Sequence, residues 1–138
     1  MSVAVALTDD IAACHHLRRV VFIEEQGVSE ADELDDLDDQ ALHLLAKDKQ
    51  VPVGTARIVI LDGTAKIGRV CVLPSHRGTG LGAALICAAL DVSRGKAVRA
   101  KLGAQTHALG FYQALGFTAV GPVYDDAGID HRDMVRDL

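Results

Sequence analysis

Tryptophan is absent from this 138-residue chain, and its other aromatics are only two tyrosines and three phenylalanines. A core must therefore be assembled from Ala, Val, Leu and Ile, in a sequence that is 49% hydrophobic. Cysteine is also scarce: Cys14, Cys71 and Cys87 are an odd number without C-x-x-C spacing, which argues against a disulfide framework or a zinc site and for small buried hydrophobes. Positive charge is short, with 14 Lys and Arg against 19 Asp and Glu, a net charge of −5. That balance lacks the basic footprint of a nucleic-acid binder and suits a cationic or amine partner better. No basic segment followed by a long apolar one opens the chain, and no run approaches the ~18 apolar residues of a membrane span. The expectation is a soluble cytoplasmic protein with neither nucleic acid nor membrane as partner. Its length suggests one domain over residues 1–138, large enough to bury a core unaided.

What is present is organised around Arg69-Val70-Cys71-Val72-Leu73-Pro74-Ser75-His76-Arg77-Gly78-Thr79-Gly80-Leu81-Gly82. A β-rich run is stopped by proline, three alternating glycines follow an arginine, and a helical pattern begins at once. The spacing predicts strand, loop and helix, with Leu81, Ala84, Leu85, Ala88, Ala89 and Val92 on one apolar face and an end near Gly95. Glycines at 78, 80 and 82 leave backbone N–H groups free to converge, and the helix start adds about half a positive charge, together a seat for a diphosphate. The loose G-x-G-x-x-A match fails as a dinucleotide fingerprint, because the acid expected about 20 residues on falls in basic and apolar Ala97-Val98-Arg99-Ala100-Lys101. A Walker loop fails for want of Gly-Lys-Ser/Thr. By itself, what remains is equally a tight turn that holds nothing.

Elsewhere, Ser2–Leu7 alternates as a strand, and Thr8-Asp9-Asp10 caps a helix carrying Ile11, Cys14, Leu17 and Val21. Cys14-His15-His16 invites a metal reading, but adjacent helical residues point about 100° apart. Residues 24–39 hold nine acids and no Lys or Arg, so a surface loop or short helix is expected, with one or two carboxylates facing an acceptor entrance. Strands follow at Ala41–Ala46, Val53–Leu61 and Ala65–Leu73, connected by Lys47–Gln50 and by the turn signal Asp62-Gly63. The continuous apolar run of the second implies burial on both faces. Beyond the central helix come a strand at Ala97–Gly103, a short helix from Gln105 or Thr106 with Gly116 at its C′ position, and strands at Thr118–Tyr124 and Ile129–Val135.

Val72-x-Pro74-x-x-Arg77-Gly78-x-Gly80-x-Gly82 resembles the acyl-CoA-binding motif of the GNAT acetyltransferase superfamily, and Ala108-Leu109-Gly110-Phe111-Tyr112-Gln113-Ala114-Leu115-Gly116-Phe117 resembles its later helix motif. Val21–Val28, Glu33-x-Asp35-x-x-Asp38 and His43-Leu44-Leu45 are similar to the amino-terminal region of small bacterial single-domain members. The resemblance implies an α/β fold with a mixed, mostly antiparallel central sheet of about six to seven strands flanked by helices. It implies an N-acetyltransferase that moves an acetyl group from acetyl-CoA, without a metal, to a primary amine of a small molecule or peptide by direct attack in a ternary complex. The alternative is a non-catalytic acyl-CoA-binding module.

Backbone groups of Val70, Cys71 and Val72 would pair with the pantetheine arm, and the N–H of Val72 would polarise the thioester oxygen. Arg77, Gly78, Thr79, Gly80, Leu81 and Gly82 would take the diphosphate, with His76 adding charge, while Gln105, Phe111 and Tyr112 would complete the donor site. Tyr112 is the candidate general acid, since a phenol of pKa near 10 is protonated at neutral pH and suits a departing thiol of about 8.5. Its other reading is a core aromatic. Glu33, His43 or a water chain would take the amine proton, although His43 reads first as a structural histidine. His131 lies where relatives often carry histidine, although Asp130 stands where they tend to have proline. Edge strands leave a homodimer open.

Overall fold

The computed structural model describes residues 3–138. Seven strands, β1 (Val3–Thr8), β2 (Leu42–Asp48), β3 (Val51–Leu61), β4 (Thr64–Val72), β5 (Arg99–Gln105), β6 (Thr118–Asp126) and β7 (Ile129–Asp137), form one sheet in the order β1-β2-β3-β4-β5-β7-β6. Every neighbouring pair is antiparallel except β4 with β5, so the expected mixed, mostly antiparallel sheet is present. Ser2, the first residue of the expected opening strand, lies outside the described residues.

Three hairpins turn on two residues with positive φ: Lys49 and Gln50 at 50° and 72°, Asp62 and Gly63 at 50° and 75°, Ala127 and Gly128 at 54° and 81°. These are the primed turns whose twist matches that of the strands they join. The Lys47–Gln50 connection is therefore tighter than expected, and β2 and β3 extend through Asp48 and back to Val51.

Four helices cover the sheet. α1 (Ile11–Arg18) is capped by Asp10, whose side chain accepts from the Ala13 N–H at 3.2 Å. It runs on as a π-helical segment, Arg19–Glu25, ending where Gln26 N–H reaches the Val21 carbonyl at 3.1 Å. α2 (Glu30–Glu33) is a single turn, followed later by α3 (Leu81–Ser93) and α4 (Leu109–Ala114). α3 lies on one face of the sheet, with Leu81, Leu85, Ile86, Ala89 and Leu90 packed on Leu44, Ala56, Ile58, Ala65 and Ile67. α1 lies on the other, with Cys14, Leu17 and Val21 against Leu45 and Cys71. Residues Val53 to Ile58 of β3 are buried between them, as their apolar run implies.

The buried face of α3 is rotated from the expected one. Ala84 is exposed, while Ile86 and Leu90 are buried. Apolar residues at nearly every position of this helix leave its phase open until the sheet selects one. Cys87 is exposed for the same reason, unlike buried Cys14 and Cys71. α4 ends as expected: Gly116 N–H bonds the Gln113 carbonyl at 3.0 Å and Phe117 N–H that of Tyr112 at 3.1 Å, with the Phe117 ring edge-on to Tyr112.

One irregularity makes room for a site. Between the pairs Arg57↔Gly68 and Thr55↔Cys71, β4 carries an extra residue, and Arg69 takes a left-handed φ of 51°. Over the same stretch β4 leaves β5: the two pair only at Thr64–Lys66 with Arg99–Lys101. The sheet is forked from Ile67 onward.

Candidate active site

The fork exposes backbone. Leu73 N–H bonds the Val53 carbonyl at 2.9 Å, so by antiparallel alternation Val72, opposite Gly54, turns its N–H and carbonyl away from β3 and into the fork. A cleft of about 580 Å³ opens there, lined by Val21, Glu25, Gln26, Val70, Cys71, Val72, Arg77, Gln105, His107 and Ile129. At its mouth the loop turns through Gly78 and Gly80, with φ of 75° and 85°, and Gly80 is the N-cap of α3. A Cβ at Gly80 would meet nothing within 4 Å, so the left-handed backbone and not crowding calls for glycine. The N–H groups of Leu81, Gly82 and Ala83 have no carbonyl one turn back. Phe111 stands beside them, its ring 3.6 Å from where a Gly82 Cβ would sit. Thr79 Oγ1 donates to the His76 carbonyl at 2.6 Å and braces the turn.

Neither expected cation lies free over these amides. Arg77 donates from both terminal nitrogens to the Glu25 carboxylate at 2.5 Å and from Nε to the Val72 carbonyl at 3.0 Å. His76 Nε2 pairs with Asp48 Oδ2 at 2.7 Å. The Arg77–Glu25 pair ties the π-helical segment to the loop across the cleft, and a 3.2 Å hydrogen bond from Gln105 Nε2 to Gln26 Oε1 makes a second tie.

A second cavity, about 430 Å³, lies on the α1 side of the sheet between α2 and the β6–β7 hairpin. It shares Gln26, Val70, Gln105 and Ile129 with the first, so the two meet at the fork. Tyr112 lines it, packed edge-on against Phe111 at 5.0 Å. Among the described residues its hydroxyl has no hydrogen-bond partner, and burial raises the phenol pKa, keeping the proton on oxygen.

The acidic segment is a surface segment, as expected, with seven of its nine acids exposed and only Glu33 and Asp38 drawn inward. Five of its nine acids are paired with arginines: Glu25 with Arg77, Glu30 with Arg19, and Glu33, Asp35 and Asp38 with three guanidiniums beneath them. Arg18 bonds Glu33 through Nε and Asp38 at 2.9 Å, while Arg57 bonds Asp35 at 2.7 Å and Asp38 at 3.2 Å. Arg18 is 1% exposed and Glu33 4%. Glu33 therefore lies buried in an ion pair at the cavity wall, not at an open entrance, and is poorly placed to collect a proton. Burial pushes the Asp38 carboxyl up, but hydrogen bonds from Arg18 and His15 outweigh it and hold the group well below the usual range. His15 is spent on that contact, at 2.9 Å, and neighbouring Cys14 is buried in the α1 core, so the run Cys14-His15-His16 does not converge on one point. His43 is buried with Nε2 3.0 Å from the Asp38 carbonyl and lines neither cavity, which fits the structural reading.

The last hairpin supplies Tyr124, which the sequence did not single out, beside His131, which it did. Tyr124 stacks on His131 with ring centroids 6.0 Å apart and donates to Asp133 Oδ1 at 2.8 Å, and both rings line the cavity. Burial and that bond push the Tyr124 pKa up to about 12. Gly103, on β5, leaves the space its hydroxyl fills; any side chain there would collide with it. Gln26 and His107 were also missed, although Gln26 sits beside the acids and His107 two residues after Gln105. Only pairing across the fork marks them.

The arrangement has close parallels. A crystal structure of an acyl-CoA N-acyltransferase from Pseudomonas aeruginosa superposes with a TM-score of 0.88 at 29% identity, covering 98% of this chain and 99% of that one. A GNAT acetyltransferase from Elizabethkingia anophelis, solved with acetyl-CoA bound, shares the fold with a TM-score of 0.75 at 17% identity, over 99% and 98% of the two chains. YjcF of Bacillus subtilis, named an uncharacterized N-acetyltransferase, is 38% identical over 125 residues, 88% of this chain and 89% of its own. A family model described as the acetyltransferase (GNAT) domain matches residues 20–138, from the π-helical segment to the last strand, and the chain belongs to that family.

Proposed function

We propose that the chain transfers an acetyl group from acetyl-CoA to a primary amine, with the donor in the forked cleft and the amine in the neighbouring cavity. One observation carries this reading: the two cavities meet at Val70, Gln26, Gln105 and Ile129, where a donor's reactive end and an acceptor can touch. The residues fit the donor. Val70 and Val72 offer strand-edge groups to the amides of a pantetheine arm, and the loop at Gly78–Gly82 with the first turn of α3 offers amides to a diphosphate. Arg77 adds charge on exchanging Glu25 for phosphate.

Bound there, acetyl-CoA supplies a thioester carbonyl for the amine to attack and a thiolate to depart. The Val72 N–H is a donor for the carbonyl oxygen as charge builds on it. The Tyr112 hydroxyl donates its proton to the departing sulfur. The base is water in the cavity rather than Glu33, whose carboxylate is tied to Arg18. The cytoplasmic location expected above belongs to this proposal, supported by three free thiols, which a reducing compartment preserves.

Release of free thiol from acetyl-CoA in the presence of a panel of amines tests the reading. Tyr112→Phe is expected to lower kcat about 100-fold while leaving CoA affinity within a small factor. Undiminished turnover removes Tyr112 from proton transfer; CoA binding without turnover of any amine favours the non-catalytic module.

A further inference from the structure

The three guanidiniums beneath the acidic segment are not equally satisfied. Arg18 pairs with Glu33 and, at 2.9 Å, with Asp38, and Arg57 pairs with Asp35 at 2.7 Å. Arg69 has only long ones, 3.7 Å from Nε to Glu33 Oε1 and 3.3 Å from Nη2 to Asp35 Oδ2, and its best bond is a 2.9 Å contact with the Glu33 carbonyl. Its Nε is buried without a hydrogen-bond partner, and among the described residues Nη1 has none either. Burial, then the charge of Arg57, lowers the pKa of Arg69, the mark of a cation short of counter-charge.

Its position is as telling. Arg69 lines the acceptor cavity from the left-handed position of the β4 bulge, one residue before Val70, where the two cavities join. A non-glycine residue in that conformation is strained and persists only where its surroundings impose it. Lys66, three residues earlier, lines the same cavity and has no ion-pair partner among the described residues. Between them Gly68 contributes no side chain to the wall, and a Cβ there would meet nothing within 4 Å. Asp32 and Asp126 also line the cavity without a cationic partner among the described residues. The cavity thus offers one undersatisfied cation, Arg69, an exposed lysine without an ion-pair partner on the same strand, and two unpaired carboxylates on α2 and β6, the complement of a small molecule bearing both charges.

We propose that Arg69 binds a carboxylate of the acceptor, assisted by Lys66, and that the acceptor is a small primary amine carrying that carboxylate. The carboxylate on Arg69 forms the charge-assisted bonds that Glu33 and Asp35 leave incomplete. The amino end is thereby directed toward Val70 and Tyr112. This rests on the transferase reading above and names the class of amine it serves.

The test compares matched acceptors with the full chain. ω-Aminocarboxylates with one to five methylenes and α-amino acids are each assayed beside their primary carboxamides, under saturating acetyl-CoA. At least a tenfold higher kcat/KM for the carboxylate is expected, carried by KM, with a best chain length within the series. Arg69→Gln should bring that ratio close to one, and Arg69→Lys should restore part of it; a purely structural role would lower activity toward both members of each pair alike. Should Arg69→Gln not fold, the wild-type ratio decides, with Lys66→Gln expected to reduce it severalfold. Equal or higher activity toward the carboxamides overturns the proposal and leaves the transferase reading standing. Turnover of no amine at all, with CoA still bound, removes the transferase reading and this proposal with it.

Discussion

The two halves of the site are built by different means. The proposed donor side is made of backbone: strand groups at Val70 and Val72 turned toward the fork, a glycine turn and a helix start, all within residues 70–83. The acceptor side is made of side-chain charge from four distant segments, with Arg18, Arg57 and Arg69 gathered under Glu33, Asp35 and Asp38. Backbone serves a partner whose shape is constant. Side chains on separate elements can be exchanged one at a time, so acceptor choice can change without disturbing the donor seat.

If this contrast holds, the acceptor side is electrostatically costly to break. Arg18→Ala leaves Glu33 and Asp38 without their principal cation and should cost about 3–5 kcal/mol, read by denaturant unfolding. A loss within 1 kcal/mol would mean the network is decoration. Acid should expose the same dependence. The Asp35 and Asp38 carboxyls lie below their ordinary values in the folded chain despite burial, because of hydrogen bonds from Arg57, and from Arg18 and His15. Their contribution is therefore complete above the unfolded value of about 3.9 and is lost as pH falls through the depressed native values. Asp38→Asn should flatten the acid limb of stability against pH; an unchanged limb would assign it to other carboxylates.

The donor side should respond to backbone changes instead. Gly80→Val forces a β-branched residue to a φ of 85° and should weaken CoA binding about tenfold, seen by calorimetry, with unfolding affected less than by Arg18→Ala. The smallest effect belongs to the ion pair that spans the donor cleft. Glu25→Gln releases Arg77 from its carboxylate partner, and CoA should bind about threefold tighter, an advantage that salt erodes. Weaker binding would show that Glu25 positions Arg77 rather than competing for it.

The same contrast sets what was legible in the sequence. The loop, the turn at Asp62-Gly63, the end of α4 at Gly116 and the doubly covered β3 could be read because each depends on residues close together in the chain. Glu33 reads from the sequence as a carboxylate at an acceptor entrance, since nothing in nine acids without an intervening base reveals three arginines waiting on α1, β3 and β4. Tyr124 escaped notice because its partners, Gly103 and Asp133, belong to neighbouring strands and are unremarkable until paired. The exposure of Ala84 and Cys87 followed from a helix too uniformly apolar to declare which side faces the sheet.

The departure of β5 from β4 gives the sheet a third margin, and unlike those of β1 and β6 it is walled in on both sides. An open margin ordinarily recruits strands from other chains. This one admits only something slender enough to enter between two strands and long enough to satisfy amides along its length. A margin of that kind is shielded from the edge-to-edge pairing that an outer strand invites, and its unpaired length is kept for whatever enters lengthwise between the two strands.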